Sequence, residues 1–237
     1  MERLNYTALE RVKVSRPVDR LSFLEAHVRG KAIFDLGALD ETAYQSKQTT
    51  TSWLHARLCR TASNVVGIDN SRIIPDEGLR TSGNGVIIRA DIFDLRDVTE
   101  QFGPPEVIVA GELIEHLPNT SEFLRSLKAS AYLKGAQLLV TTPNACCWHN
   151  TLVGLAGRES MHKDHLQIYS YKTLRTLFES NGFDVESIQP YYARFPEMIE
   201  AGPWPVSLGA RMFQGVTNLL ETITPLLSSG WIVKTRI

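Results

Sequence analysis

Residues 107–117 restrict the fold of this chain more than any other stretch. Positions 107–110 are four consecutive apolar residues, and Gly111 ends the run. A short apolar run bounded by glycine is typical of a buried strand in a parallel sheet. Glu112, Glu115 and His116 follow at once, and open α/β sheets bind ligands beyond the carboxyl ends of their strands. The pattern predicts a buried strand leading into a ligand site; an ordinary polar turn is the alternative.

Further strands are expected along the chain, and helical stretches separate most of them. Strands are expected at residues 31–37, 64–69, 85–91, 135–143, 183–191 and 230–237. One helix is expected over residues 53–59. A second begins after Asn119, where Glu122 completes a capping pattern, and a third runs from Ser170 to Gly182. This alternation predicts an α/β fold with a doubly wound, mostly parallel, seven-stranded Rossmann-like sheet.

Length, charge and cysteine content narrow the class of protein. The 237 residues suffice for one domain, in which residues 1–30 are expected to form a helical cap and residues 193–229 a variable acceptor-side segment. A formal net charge of −1 gives no strong attraction to nucleic acid. Three cysteines without a Cys-x-x-Cys pair argue against a disulfide framework or zinc cluster. The absence of an apolar signal segment or spanning run predicts a cytoplasmic protein.

Residues 206–222 have the pattern of an amphipathic helix. Most of its apolar residues lie on one helical face, namely Val206, Leu208, Met212, Phe213, Val216, Leu219 and Leu220. Such a face either covers the core or contacts a membrane surface. The polar side is not rich in lysine or arginine, which favours a core cover over peripheral membrane contact.

Acidic residues stand at the ends of three successive predicted strands. They are Asp35, which Gly37 follows, then Asp69 and Asp91. In such folds a carboxylate after the second strand accepts hydrogen bonds from the ribose hydroxyls of a nucleotide, and glycine lets the backbone approach the ligand. Each aspartate alone would suit a helix N-cap. Together at one sheet edge, with Glu112 as a fourth acid, they favour a nucleoside-binding site.

Over residues 30–190 the chain resembles class I S-adenosylmethionine-dependent methyltransferases. The matching motifs are Phe-Asp-Leu-Gly at 34–37, Val-Gly-Ile-Asp at 66–69, Ala-Asp at 90–91, Gly-Glu-Leu-Ile-Glu-His-Leu at 111–117, Leu-Leu-Val-Thr-Thr-Pro-Asn at 138–144, and a tail from His165 to Phe183. The resemblance also extends to residues 230–237, which would form the antiparallel last strand of the group. It implies S-adenosylmethionine (SAM) as cofactor.

The resemblance implies a role for each acidic motif. The turn of Asp35 and Gly37 would lie under the methionine part of SAM, Asp69 would hold the ribose, and Asp91 would flank the adenine. The full set of implied cofactor-binding residues is Asp35, Gly37, Asp69, Asn70, Asp91, Ile92, Gly111 and Glu112.

The first motif departs from the family pattern. Three alternating glycines are usual in the family, whereas this chain reads Asp-Leu-Gly-Ala-Leu-Asp at 35–40 and keeps only the first. A first motif of this kind, followed by Trp-Leu-His, is similar to that of bacterial methyltransferase-like proteins associated with polysaccharide synthesis. The missing Gly-x-Gly-x-x-Gly also argues against a dinucleotide reductase, because that motif brings a helix N-terminus to a pyrophosphate.

Methyl transfer to a hydroxyl needs alignment and benefits from a general base. The candidate catalytic residues are His116, His165 and Glu112, with His149 and His162 as further histidines. His116 is the first choice because it follows the fourth strand of the series directly; an ordinary loop-ordering role is its alternative.

A divalent metal is an alternative use of the same residues. Glu112, Glu115, His116 and His165 offer carboxylate and imidazole ligands that suit Mg²⁺ or Mn²⁺. A bound ion would lower the pKa of the acceptor hydroxyl. The Glu-x-x-Glu-His pattern is similar to that of small-RNA 2′-O-methyltransferases, although Glu-His also occurs in this family without metal.

Three hypotheses follow for the function. The first is SAM-dependent O-methylation of a small molecule or glycan. The second is metal-assisted 2′-O-methylation of RNA, which the near-neutral charge disfavours. The third is a non-catalytic scaffold on a methyltransferase fold, which the reduced first motif supports, because a fold alone does not establish activity.

Overall fold

The computed structural model describes residues 6–7, 9–39, 52–200 and 202–237. Within them the chain forms one eight-stranded sheet with helices on its faces. The strands are β1 (Ala32–Leu36), β2 (Asn64–Asp69), β3 (Leu79–Ser82), β4 (Gly85–Arg89), β5 (Val107–Gly111), β6 (Gln137–Pro143), β7 (Ser187–Tyr191) and β8 (Gly230–Arg236). Their order across the sheet is β3-β4-β2-β1-β5-β6-β8-β7.

The five central strands are parallel, and antiparallel pairing occurs towards both edges. β4, β2, β1, β5 and β6 pair in parallel. β8 pairs antiparallel with both β6 and β7, and β3 pairs antiparallel with β4. The order reverses around β1, so the carboxyl ends of β1, β2 and β5 meet at the switch point where such sheets bind ligands.

Eight α-helices lie in the described residues. They are α1 (Arg20–Val28), α2 (Leu54–Cys59), α3 (Arg96–Phe102), α4 (Thr120–Ala129), α5 (Trp148–Leu155), α6 (Tyr171–Ser180), α7 (Pro196–Glu200) and α8 (Trp204–Ile223). Short 3₁₀ helices occupy Ile114–His116, Ala131–Leu133 and Pro225–Leu227. No helix among these is long and apolar enough to span a membrane.

Local capping fixes the starts of α4 and α6 as the sequence predicts. The Asn119 side chain accepts a hydrogen bond from the Glu122 amide, and Ser170 and Thr173 form a reciprocal capping box. α6 ends at Ser180, and Gly182 follows its C-cap with a φ of +82°, which is costly for other residues.

The strands bury both faces, because consecutive side chains point to opposite sides. On one face, Phe34 of β1 joins a core completed by α3, α4 and α6. On the other face, the neighbouring Ile33 packs with Leu24 of α1 and Leu58 of α2. This two-sided burial confirms the expected Rossmann-like α/β fold.

Three features differ from the sequence-based expectations. β3 is an eighth strand: its four residues, Leu79–Ser82, alternate between half-buried and exposed, too short a pattern to distinguish from a loop. Within residues 1–30, the described helix is α1 alone; Val18, before it, forms a parallel bridge to Tyr191 at the sheet edge. The single-domain division remains a prediction.

The third difference concerns α8. The helix forms as expected, but its apolar face does not cover the core: Val206, Leu208, Met212, Val216 and Leu219 are all exposed, while Phe213 and Leu220 are half-buried. The buried residues of α8 are instead Ala210, Thr217 and Glu221. The helix is therefore anchored through small and polar side chains, and the prediction of an apolar cover is wrong for its exposed residues.

Candidate functional site

A cavity of about 530 Å³ opens at the carboxyl ends of β1, β2 and β5. Ligand cavities of about 300–1,000 Å³ are typical of cofactor sites. Its lining includes most of the residues that the sequence assigns to the cofactor or to catalysis, namely Asp35, Gly37, Asp69, Asn70, Gly111, Glu112, His116 and His165. The topology of the sheet thus brings together residues up to 130 positions apart in the sequence.

Asp69 is positioned at this cavity by two backbone amides. Its Oδ2 accepts a hydrogen bond from the Leu39 amide at 3.0 Å, and its Oδ1 accepts one from the Ser71 amide at 3.0 Å. An ionised carboxylate is an acceptor that suits the hydroxyls of a ligand. Gly37, with φ +71°, turns the chain above the sheet. A carboxylate held beside a glycine turn is the arrangement expected for a nucleoside cofactor.

Glu112 has a strained backbone, and three side chains surround its carboxylate. Its φ of +52° lies in the left-handed region, which costs a residue other than glycine about 1–3 kcal/mol and marks functional sites. Thr141 donates to Oε1 at 2.7 Å, and the Tyr191 hydroxyl lies 3.0 Å from both carboxylate oxygens. Arg20 lies 3.6 Å from Oε1. These contacts direct the carboxylate towards the cavity.

The Tyr191 hydroxyl remains a proton donor to Glu112. Burial and the neighbouring negative charge of Glu112 raise the pKa of Tyr191 well above its ordinary value. The tyrosine is therefore neutral throughout the physiological range.

Glu115, three residues after Glu112, is completely buried. Thr142 donates to its Oε2 at 3.0 Å, whereas its Oε1 has no hydrogen-bond partner among the described residues. Burial and the charge of Glu112 raise the pKa of Glu115 well above its usual value. A buried carboxylate oxygen without a partner is costly, so this atom is a candidate ligand atom.

His165 and His116 lie close to the Glu115 carboxylate. The Glu115 carbonyl accepts hydrogen bonds from the amides of Leu166 and Gln167 at 2.8 and 3.2 Å, which holds the His165 loop against the 3₁₀ helix. The two imidazole rings are 4.7 Å apart. One atom each of Glu115, His116 and His165 lie within 4.8 Å of one another.

The two histidines differ in their polar contacts. Nδ1 of His116 lies 3.1 Å from the Asp164 carbonyl oxygen, which can only accept, so Nδ1 donates in this contact. Burial and the neighbouring histidines lower the pKa of His165, and its Nδ1 has no partner within the described part of the chain. His165 is therefore neutral at pH 7.

A second cavity, of about 300 Å³, adjoins the first. The two share Arg20, Ser52, Glu112 and His165 as lining residues. The second cavity extends towards His149 and the chain after β7, where it is lined by Tyr192, Arg194, Phe195 and Glu197. Glu112 and His165 therefore stand at the junction of two ligand-sized spaces.

Two residues that the sequence assigns to the cofactor are not among the lining residues of the larger cavity. Asp91 is exposed, accepts a hydrogen bond from the Phe93 amide, and lines a separate groove beside Arg89. Ile92 is half-buried against the core. Their contact with adenine remains a prediction.

Sequence reasoning missed four residues of the site: Arg20, His55, Thr141 and Tyr191. His55 is fully buried under the first cavity and bonds Asp35. Arg20 and Tyr191 come from α1 and β7, far from Glu112 in sequence, and no local pattern identifies them. Thr141 had a weak signal, because it is a polar residue that directly follows the apolar residues 138–140 of β6.

A mostly parallel sheet with acidic residues around a cavity at its switch point defines an α/β protein of the class that binds nucleoside cofactors. A family model described as a methyltransferase domain matches residues 10–188. The chain therefore belongs to this family and is a SAM-dependent methyltransferase. No curated protein matches its sequence.

Solved structures with the same fold include several methyltransferases. One is an S-adenosylmethionine-dependent methyltransferase from Mesorhizobium loti (TM-score 0.50, 15% identity, covering 92% of this chain and 95% of that one). Another is magnesium protoporphyrin IX methyltransferase from Synechocystis PCC 6803 with bound S-adenosylhomocysteine (SAH) (TM-score 0.52, 13% identity, covering 91% of this chain and 79% of that one). A third is the small RNA methyltransferase HEN1 (TM-score 0.54, 13% identity, covering 96% of this chain and 27% of that one). At these identities the likeness supports the fold alone.

Proposed function

We propose that this methyltransferase transfers the methyl group of SAM to a hydroxyl of a small molecule or glycan. The observation that carries the proposal is the junction of the two cavities at Glu112 and His165. SAM fits the larger cavity and the acceptor the smaller one, so their reacting atoms would meet at a carboxylate and a neutral imidazole. The resemblance of the first motif supports a role in polysaccharide biosynthesis.

The residues of the larger cavity suit SAM chemically. The Asp69 carboxylate would accept hydrogen bonds from the ribose hydroxyls, and the Gly37 turn leaves room for the methionine end. Bound SAM supplies an electrophilic methyl group. The protein residues then hold the acceptor oxygen in line and exclude water, an effect worth up to about 7–11 kcal/mol.

His165 is the best-placed proton acceptor for the acceptor hydroxyl. It is neutral at pH 7 because burial and its histidine neighbours lower its pKa, and it lines both cavities. Glu112 would orient the hydroxyl through a hydrogen bond to its carboxylate. His116, which lines only the larger cavity of the two, would support His165. General base catalysis of this kind contributes roughly 10²–10⁴-fold.

The acceptor cavity favours a small, partly polar ring. Its volume of about 300 Å³ stands at the lower end of typical small-ligand sites. Tyr192 and Phe195 offer aromatic faces, while Arg194 and Glu197 offer hydrogen-bonding groups. Sugars and phenols present this combination of ring faces and hydroxyls.

Screening acceptors with ¹³C-methyl-labelled SAM tests the proposal. We expect SAH to form with hydroxylated glycans or quinol-like acceptors, and the carbon shift of the product to identify an oxygen-bound methyl group. His165→Gln should lower turnover about 10²-fold or more while leaving SAH affinity unchanged. His27→Gln, on α1 and outside both cavities, is the matched control. A nitrogen- or carbon-bound product, or full turnover in His165→Gln, would contradict the mechanism.

A metal-assisted reaction, including 2′-O-methylation of RNA, is the second candidate. The cluster of Glu115, His116 and His165 favours it. Divalent ions hold oxygen and nitrogen ligands at about 2.0–2.6 Å, so three atoms within 4.8 Å of one another can share one ion. An ion would also satisfy the unpartnered atoms of Glu115 and His165. Glu112 is held by Tyr191 and Arg20 and lies outside this cluster.

Metal removal distinguishes the two candidates. If the metal assists, extensive EDTA treatment abolishes activity and Mn²⁺ restores it, while Glu115→Gln loses Mn²⁺ binding but keeps SAH binding. Unchanged activity after EDTA would exclude this candidate. Strongly salt-dependent RNA binding would favour an RNA acceptor.

A further inference from the structure

The segment Trp53–His55 contacts three different parts of the larger cavity through consecutive side chains. The indole nitrogen of the tryptophan donates to the Ala38 carbonyl at 3.2 Å. The leucine packs so closely on Gly111 that a Cβ there would overlap it. His55 Nδ1 bonds Asp35 Oδ2 at 2.9 Å. One short segment therefore ties the turn after β1 to the end of β5.

His55 is fixed on both sides of its ring. It is completely buried, and Nε2 lies 2.9 Å from the Thr81 hydroxyl of β3. A carboxylate only accepts hydrogen bonds, so Nδ1 carries a proton towards Asp35. Burial alone would lower the pKa of His55, but hydrogen bonds to Asp35 and Cys59 and the charge of Asp35 raise it to about 9. The imidazole is therefore protonated at neutral pH.

The sheet leaves space for this ring at Gly67. Gly67 pairs with Asp35 across β1 and β2. A Cβ on Gly67 would lie 2.9 Å from His55 Cε1 and 2.8 Å from both Ala38 Cβ and Ile87 Cγ1. The glycine lets the imidazole reach the Asp35 carboxylate beneath the cavity.

This segment contacts the part of the first motif that departs from the family pattern. Where the second of the alternating glycines would stand, this chain has Leu39, and Ala38 precedes it. The Ala38 carbonyl is held by Trp53, and the Leu39 amide is bonded to Asp69. The shape of the turn is thus set by side chains packed beneath it.

We propose that Trp53, Leu54 and His55 are positioning residues for SAM, and that the His55–Asp35 pair holds the turn at Gly37 in its cofactor-binding shape. They line the larger cavity, and they would act on the cofactor by holding the turn. The proposal rests on the assignment of the larger cavity to SAM.

Calorimetric titration with SAH tests this role. His55→Leu removes the partner of a buried carboxylate, so we expect the folded variant to bind SAH about tenfold or more weakly. His55→Gln keeps one donor and should recover part of the affinity. His27→Gln is the control, since among the described residues its side chain hydrogen-bonds only to the Phe23 carbonyl, within the same helix. If His55→Leu does not fold, Trp53→Phe removes the indole hydrogen bond to the Ala38 carbonyl and should weaken SAH about twofold to tenfold.

Histidine-selective ¹⁵N NMR of the wild-type protein supplies a readout that a purely structural role would not move. Both His55 nitrogens should be protonated at pH 7.5, and their resonances should shift when SAH is added. Equal SAH affinity of wild type and folded His55→Leu, or of wild type and Trp53→Phe, would overturn the positioning role and leave the cofactor site intact. Failure of wild type to bind SAH would overturn both assignments.

Discussion

Gly67→Ala is expected to destabilise the protein by about 2–3 kcal/mol. The added methyl group would lie within 2.9 Å of three carbon atoms, on Ala38, His55 and Ile87. None can move easily: Ala38 has only its Cβ, the His55 ring is bonded at both nitrogens, and Ile87 is fully buried. Overpacking of a fixed core costs about 1–3 kcal/mol, and the rigidity of these neighbours places the cost in the upper part of that range.

Urea unfolding and thermal melting measure this cost. For a chain of this size, we expect the melting temperature to fall by about 4–12 °C. SAH affinity should fall as well, because the methyl group displaces Ala38 and His55 beneath the turn. Gly83→Ala is the matched control, since a Cβ there has no atom within 4 Å. Wild-type stability and SAH affinity in Gly67→Ala would refute the packing of His55 over Gly67.

Three further predictions address the cofactor, pH and the exposed helix. Asp69→Ala should weaken SAH binding at least about a hundredfold without unfolding the chain, measured by calorimetry and circular dichroism; unchanged affinity would contradict the ribose assignment. Burial raises the pKa of Glu221 to about 7. The folded state therefore keeps a proton that the unfolded state loses, and the free energy of unfolding should decrease as pH rises from about 4.5 to 7. In Glu221→Gln this decrease, measured by urea unfolding at several pH values, should be smaller than in the wild type. An unchanged pH dependence of the free energy of unfolding would contradict the raised pKa of Glu221. The exposed apolar face of α8 predicts co-sedimentation with anionic vesicles that Met212→Ser and Leu219→Ser weaken; no sedimentation of wild type would exclude peripheral membrane contact.

The fold could be predicted from the sequence because its signals are local. Each central strand is a short apolar run, and the starts of α4 and α6 are set by Asn119 and Ser170 within one helical turn. β3 had no such signal, since Leu79–Ser82 gains its strand conformation by pairing with β4. Exposure of the apolar side of α8 also depends on tertiary contacts, because the buried Glu221 bonds the Ala193 amide and anchors the opposite side.

The candidate site likewise has residues that the sequence predicts and partners that it does not. Asp35, Asp69 and Glu112 could be assigned to one cavity because they follow parallel strands whose carboxyl ends share an edge. The partners that orient them could not, since Tyr191 reaches Glu112 across 79 positions of sequence. The proximity of His116 to His165 likewise depends on a loop that the Glu115 carbonyl holds in place.

Local irregularity at this site is compensated by contacts from distant elements. The first motif keeps only one of its three usual glycines, and Trp53 and His55 hold its turn. Glu112 adopts a left-handed backbone, and Thr141 and Tyr191 hold its carboxylate. Sequences that fold well violate local rules mainly where function requires it. The two compensating sets come from different elements: α2 and β3 support the larger cavity, whereas α1, β6 and β7 support its junction with the smaller one. Under the proposed assignment of these cavities to SAM and the acceptor, changes beside the smaller cavity should alter the methylated substrate while SAH binding stays intact.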